Sequence, residues 1–195
     1  MPTEPRGQGR HPLPVAASAA TAATVVVWSP WIRLFHWSLV ATIFVAWLTR
    51  EGAGLVHDTA GYTALGLVGA RVALGVFGRS EYARFTSFVR SPRETWAYAR
   101  DLAAMREERY LGHNPLGGWM IVALVATVVV VGASGWLYTT DAYWGVAWVG
   151  DLHDLSADVL LWLIALHLLG VLFTSWRHRE NLVGAMVRGR KREKA

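Results

Sequence analysis

Four long apolar stretches dominate the chain, over residues 34–49, 56–77, 116–137 and 155–175. The second contains His57, Asp58 and Arg71, the third has no charged residue, and the fourth has only Asp158. A hydrocarbon core of about 30 Å is crossed by roughly 20 apolar residues in a helix, and unpaired backbone groups in lipid are too unfavourable for any other local structure. The pattern predicts an all-α integral membrane four-helix bundle, with helices at about 31–49, 56–77, 116–137 and 153–176.

A shorter helix is predicted between the second and third spans. The run Ser91-Pro92-Arg93-Glu94 has the form of a capping box with proline at the first helical position. We expect this helix to extend from Pro92 to about Arg109 and to lie along the inner membrane surface.

The bundle domain is predicted over residues 28–178, between two tails. Residues 1–27 are rich in Pro, Ala, Ser and Thr and predict a flexible N-terminal tail. A secretory signal with a cleavage site near residues 17–20 is the alternative, but cleavage would leave the new N-terminus outside and conflict with the charge distribution. Residues 179–195 are strongly basic and predict a cytoplasmic tail.

The basic residues predict the orientation. Nearly all of the 19 Lys and Arg residues precede the first span, join the second to the third, or follow the fourth. Arg50 is the only basic residue in the opposite connections, which also contain Asp141 and Asp151. Because Lys and Arg accumulate on the cytoplasmic side, both termini of this multi-pass membrane protein are predicted to be cytoplasmic.

Composition narrows the chemistry. The chain has no Cys and a formal net charge of +5, which excludes disulfides, thiolate-bound iron–sulfur clusters, cysteine zinc sites and covalent haem attachment. Any metal must therefore be held by His or carboxylates. We expect no nucleic-acid partner, because a basic cluster beside a membrane span is explained by attraction to anionic membrane lipid.

Four histidines form the candidate site. His36 lies in the first span, His57 starts the second, and His153 and His167 start and occupy the fourth. Residues 14 positions apart on a helix return to within about 40° of one face and lie about 21 Å apart along the axis. The depth of each histidine below the end of its helix predicts two pairs. His36 and His167 lie at the same depth on the cytoplasmic side, and His57 and His153 lie at the same depth on the outer side.

Two imidazoles at each depth favour haem over a bare metal ion. Zinc or copper normally requires three or four protein ligands, whereas haem supplies four equatorial nitrogens and needs two axial ones. Iron with both axial positions filled has no open site, so electron transfer is the expected role of two b-type haems. Glycines would make room for the macrocycle, at Gly61, Gly66, Gly69, Gly75, Gly132, Gly135 and Gly170.

Arg71 and His113 can each be explained without a role at the haem. Arg71 follows His57 by 14 residues, so it either extends to the cytoplasmic surface or pairs with a haem propionate. His113 precedes Asn114 and Pro115, which are typical of a helix start, and we assign His113 to that start rather than to a ligand set.

Several runs together resemble the bacterial cytochrome b561 family, over about residues 25–192. They are the run from Trp28 to Trp37, His57-Asp58-x-x-Gly61-Tyr62, the run from Gly112 to Gly118, the His153 to His167 spacing, and the run from Arg177 to Leu182. The sequence is most similar to the cytochrome b subunits of nickel-iron hydrogenases. Asp58 and Asp154 follow the outer histidines, where the family often has Glu.

The resemblance implies a diheme b cytochrome of a respiratory chain, with His36, His57, His153 and His167 as axial ligands. It further implies electron transfer between an outer-face redox protein, such as a cytochrome c or a hydrogenase, and the quinone pool. Two alternatives stay open: a metal or proton transporter that uses paired membrane histidines, and a membrane anchor subunit of a redox complex. Homo-oligomerisation, a possible quinone reductase activity and the direction of electron flow also stay open.

Overall fold

The computed structural model describes residues 24–52, 54–77 and 84–193, so residues 1–23 of the predicted N-terminal tail, with the alternative signal segment, lie outside the described part. Its four long helices are α1 (Pro30–Leu48), α2 (Gly54–Phe77), α5 (Pro115–Tyr138) and α6 (Ala147–Arg177). The shorter elements are β1 (Thr24–Val26), α3 (Phe85–Phe88), α4 (Pro92–Ala103), α7 (Leu182–Arg188) and β2 (Arg190–Arg192).

Side-chain caps fix where four of the helices begin, with Asn181 capping α7. Ser29 accepts a hydrogen bond from the backbone N–H of Ile32, and Asn114 accepts one from Gly117. Proline occupies the first turn of both helices, where its missing N–H costs nothing. The predicted capping box at Ser91 and Glu94 is present in full.

The four long helices form one bundle. Their extensive contacts run in the order α1, α2, α5, α6, and all four contribute to one apolar cluster around Val68, Val128 and Leu160. Each helix is long and apolar enough to cross a membrane, and many large apolar side chains face outward. The predicted all-α membrane bundle is therefore confirmed.

Both predicted tails contain folded segments. Thr24–Val26 pairs antiparallel with Arg190–Arg192, and α7 precedes the second of these strands. Gly189, at a φ of +81°, reverses the chain between α7 and β2, a conformation that glycine adopts without steric cost. The β-branched run before α1 thus finds a strand partner beyond α6, which the basic composition of residues 179–195 gave no reason to expect.

Two helix boundaries differ from the prediction. Helix α4 ends at Ala103 rather than near Arg109, because Met105 has a φ of +56° and the backbone N–H of Arg106 bonds the carbonyl of Asp101. Helix α6 begins at Ala147, six residues before the predicted start at His153, and Val146 gives it no side-chain cap.

Candidate functional site

His57 and His153 lie together near one end of the bundle. His57 is the fourth residue of α2, and His153 is the seventh of α6 rather than its first. Their ring centroids are 6.0 Å apart, with 74° between the ring planes. Imidazole nitrogens bind metals at about 2 Å, so the ring centroids of two ligands on opposite sides of one ion are expected about 6 Å apart. The observed separation fits that arrangement.

Hydrogen bonds orient both rings. Nδ1 of His57 lies 2.9 Å from the carbonyl oxygen of Ala46 in α1, and Nδ1 of His153 lies 3.0 Å from that of Val131 in α5. A carbonyl can only accept, so each Nδ1 carries the proton and each Nε2 keeps its lone pair. Histidine ligands of metal sites are commonly oriented in this way, through the nitrogen that does not bind the metal.

Gly135 makes the close approach of His153 feasible. A Cβ at this position would lie 3.0 Å from both Cε1 and Nδ1 of the His153 ring, closer than ordinary van der Waals contact. The ring therefore lies across the backbone of α5, and the predicted role of Gly135 in making room applies first to the ligand itself.

The other predicted glycines divide into two groups. Gly75 faces the Phe85 ring and Gly132 faces Leu65, so these two serve packing between protein segments. A Cβ at any of the remaining positions would meet no protein atom within 4 Å, at Gly61, Gly66, Gly69 and Gly170.

His36 and His167 occupy α1 and α6 further along the bundle. Both side chains are partly buried, and they lie within range of electrostatic interaction with each other. Nδ1 of His36 is buried and has no hydrogen-bond partner among the described residues. A buried polar atom without a partner is unfavourable, so the ring of His36 has an unsatisfied nitrogen inside the bundle.

Arg71 is buried near the end of α2. Only 5% of its surface is exposed, and its guanidinium lies over the rings of Phe85, at 4.9 Å, and Phe88, at 5.9 Å. Its Nη1 atom is buried without a hydrogen-bond partner in the described part of the chain. Arg71 therefore does not extend to the surface, which was one of its two predicted roles. Its side chain packs against the aromatic rings of α3 and leaves Nη1 without a partner among the residues that the structure describes.

His113 directly precedes the residue that caps α5. Asn114 caps α5, as the sequence predicted, and the centroid of the His113 ring lies 4.7 Å from that of Trp28 and 5.0 Å from that of Phe88. Burial, aided by the positive charges of Lys191 and Arg71, lowers the pKa of His113 to about 3, so the ring is neutral near pH 7.

The same electrostatic environment links His113 to the histidines of the bundle. It lies within range of both His36 and His167. In the sequence, the run from Gly112 to Gly118 gave the only indication that His113 does more than precede a helix. The adjacent cap at Asn114 explained that run as a helix start.

Ion pairs close the end of the bundle that carries β1, β2, α4 and α7, called here the terminal end. Arg109 binds Glu180 through two guanidinium nitrogens and also donates to the carbonyl of Arg192. The side chain of Glu107 is fully buried and pairs with Arg177 at 3.0 Å. Burial lowers the pKa of Lys191, while the nearby Glu180 opposes that shift.

No three His, Asp or Glu side chains in the described ranges converge on a position that could hold a metal ion. Paired imidazoles alone suit a group that brings its own equatorial ligands. Haem is such a group, and the 6.0 Å separation of the His57 and His153 rings, with both Nε2 atoms free, fits it. Nδ1 of His36 and Nη1 of Arg71, which have no hydrogen-bond partner among the described residues, are also consistent with a polar group bound nearby.

These features define a class of protein: a multi-pass helical membrane protein with paired histidines inside the bundle. A family model described as prokaryotic cytochrome b561 matches residues 27–189, and the chain belongs to this family. The searches of curated proteins and of solved structures found no match. The resemblance to the cytochrome b561 family and to hydrogenase-type cytochrome b is confirmed. The chain is a bacterial membrane b-type cytochrome for electron transfer, and its family implies haem b.

Proposed function

We propose that the protein binds two b-type haems and transfers electrons across the bacterial inner membrane. Its partners are a redox protein at the outer face, such as a cytochrome c or a hydrogenase, and the quinone pool. In this proposal His57 and His153 hold one haem, and His36 and His167 hold the other.

The observation that carries the proposal is the geometry of His57 and His153. Two rings from different helices stand at the separation expected for two axial ligands, and both present Nε2. The second pair is supported by the partial burial of both side chains, by their mutual electrostatic influence, and by Nδ1 of His36, which has no hydrogen-bond partner among the described residues.

When bound, haem supplies one-electron exchange between ferrous and ferric iron. The protein contributes rigid ligands, because the carbonyls of Ala46 and Val131 hold the rings of His57 and His153 in one orientation and tautomer. With its iron held by two histidines, a bound haem would keep no coordination site for oxygen or substrate. His153 and His167 lie about 21 Å apart along α6, so one helix connects two sites at different depths.

Arg71 is proposed to pair with a propionate of the haem held by His36 and His167. A buried guanidinium without a partner is unfavourable, and Nη1 has none among the described residues. Its position over Phe85 and Phe88 directs the charge toward the terminal end of the bundle.

The proposed orientation places the terminal end in the cytoplasm. Most Lys and Arg residues lie at that end, whereas the opposite end carries Arg50 and several acidic residues. The positive-inside rule then puts both termini inside. The His57 and His153 site faces the outer redox partner, and the second site faces the cytoplasmic half of the membrane.

The test is a reduced-minus-oxidised spectrum with a haem-to-protein ratio for wild type and for four single His→Ala variants. We expect two haems in wild type and one in each variant, with His57→Ala and His153→Ala lacking the same spectral component. His178→Ala is the control and should keep two haems. A wild-type protein that contains no haem, or variants that all keep two, would refute the proposal and leave the transporter alternative.

Arg71→Leu tests the propionate pairing. We expect a lower occupancy or a shifted midpoint potential for the haem of His36 and His167 only. Arg50→Leu removes an exposed arginine at the opposite end and should leave both haems unchanged. Equal behaviour of the two variants would contradict the pairing.

A further inference from the structure

We propose that His113 is a positioning residue of the site formed by His36 and His167, where its ring donates a hydrogen bond to a carboxylate of the bound haem. The inference rests on the proposed function, because the carboxylate belongs to that haem. His113 therefore acts beside Arg71 and not as an axial ligand.

The ring is held in place by aromatic contacts from two separate segments. Trp28 precedes α1 and Phe88 ends α3, and both are almost fully buried. Each packs against His113 at a centroid distance of 5.0 Å or less. The backbone N–H of Trp28 also bonds the carbonyl of Gly189, which ties one wall of the imidazole to the segment between α7 and β2. An imidazole held this firmly keeps a fixed direction for its N–H.

Ligation by His113 is not the best explanation of this position. The described residues include no group of three histidines or carboxylates arranged for one metal, although His36 and His167 are both within electrostatic range of His113. A third histidine that is near the pair, yet not part of a ligand set, suits contact with the edge of the group that the pair binds.

The surrounding charges favour an anion. Lys191 and Arg71 are the largest electrostatic influences on His113, and Nη1 of Arg71 lacks a partner within the described ranges. The buried carboxylates at this end form ion pairs of their own, Glu107 with Arg177 and Glu180 with Arg109, although neither oxygen of Glu107 has a hydrogen-bond partner among the described residues. A haem carries two propionates, and ionised carboxylates are strong acceptors for such donors.

His113 also suits this role as a neutral donor. With the pKa of its ring lowered by burial and by nearby cations, the imidazole carries one N–H and one acceptor nitrogen near pH 7. Donation to a propionate would offset part of its negative charge close to the iron, which favours the reduced state.

The test compares His113→Phe with His113→Gln in the purified full-length protein. Phenylalanine keeps a ring between Trp28 and Phe88 but removes the donor, whereas glutamine keeps an N–H donor and loses the ring. We measure the haem-to-protein ratio and the midpoint potential of each haem by redox titration. His178→Phe, a histidine at the same end with its own partner Glu107, is the matched control.

We expect His113→Phe to lower the midpoint potential of one haem, the one that is lost in His167→Ala, or to lose that haem. His113→Gln should keep both haems at potentials close to those of wild type. A wild-type potential in His113→Phe, or the same change in both variants, would overturn the inference. A wild-type protein without haem would instead refute the proposed function, so the two failures are distinguishable.

Discussion

Two backbone carbonyls govern the chemistry of His57 and His153. By accepting from Nδ1, the carbonyls of Ala46 and Val131 leave each Nε2 unprotonated and fix the plane of each ring. A histidine inside a membrane helix is costly unless it is bonded in this manner. The same hydrogen bonds that make these residues tolerable in lipid therefore prepare them as ligands.

The contact between Gly135 and His153 gives a prediction at this scale. Gly135→Ala places a methyl group 3.0 Å from two atoms of the ring, and relieving such overpacking typically costs about 1–3 kcal/mol. We expect reduced occupancy of the haem held by His57 and His153, measured as the haem-to-protein ratio, with the second haem retained. Gly150→Ala, where the nearest atom is 3.5 Å away, should keep both haems. Full occupancy in Gly135→Ala would show that the ring has room to shift.

Sequence patterns predicted the elements that depend on residues near each other in the chain. They missed the features that depend on contacts between residues far apart in the chain. The apolar spans and the cap at Ser91 are local signals, and these elements are present. The early end of α4 depends on contacts made by the following segment, where Glu107 turns inward to Arg177. Pairing of β1 with β2 joins residues more than 160 positions apart, and no local pattern reports such a partner.

The candidate site shows the same division. The depth of each histidine from its helix end predicted that His57 would pair with His153, because the rise of a helix per residue is regular. That prediction placed His153 at a helix start, whereas α6 begins at Ala147 after a turn in which Gly145 has a φ of +74°. The packing of His113 against Trp28 and Phe88 was not predicted, because it brings together three segments that are distant in sequence.

The ion pair between Arg109 and Glu180 tests how the terminal end is held together. Arg109→Ala leaves a largely buried carboxylate, 9% exposed, with only a distant contact to Lys191. We expect a loss of about 2 kcal/mol in unfolding free energy, measured by denaturation of the detergent-solubilised protein. Arg50→Ala breaks an exposed pair with Glu51 and should cost less than about 0.5 kcal/mol. Equal losses in the two variants would contradict a specific role for the buried pair.

The bundle as a whole has unequal ends. Helix α6 has 31 residues, so its length of about 46 Å exceeds the hydrocarbon thickness of about 30 Å. The terminal end is basic and crosslinked by ion pairs, whereas the opposite end carries exposed acidic residues such as Asp141, Asp151 and Asp154. In the proposed orientation, the acidic end faces the outer redox protein and the basic terminal end faces the cytoplasm.

Orientation can be measured directly because the chain contains no Cys. We make two single-cysteine variants at exposed positions, Asp141→Cys and Arg93→Cys, and treat intact cells with a membrane-impermeant thiol reagent. Asp141→Cys should be labelled from outside, or from the periplasm after the outer membrane is permeabilised, and Arg93→Cys only after lysis. The reverse pattern would place the terminal end outside and invert the proposed direction of the two sites.

The haem content of double variants is the most direct test of two histidine pairs. If His57 and His153 share one haem, then His57→Ala/His153→Ala loses no more haem than either single variant and keeps one per chain. His57→Ala/His167→Ala, which breaks both pairs, should contain none. One haem in the cross-pair variant, or none in the same-pair variant, would contradict the assignment of the four histidines to two separate sites.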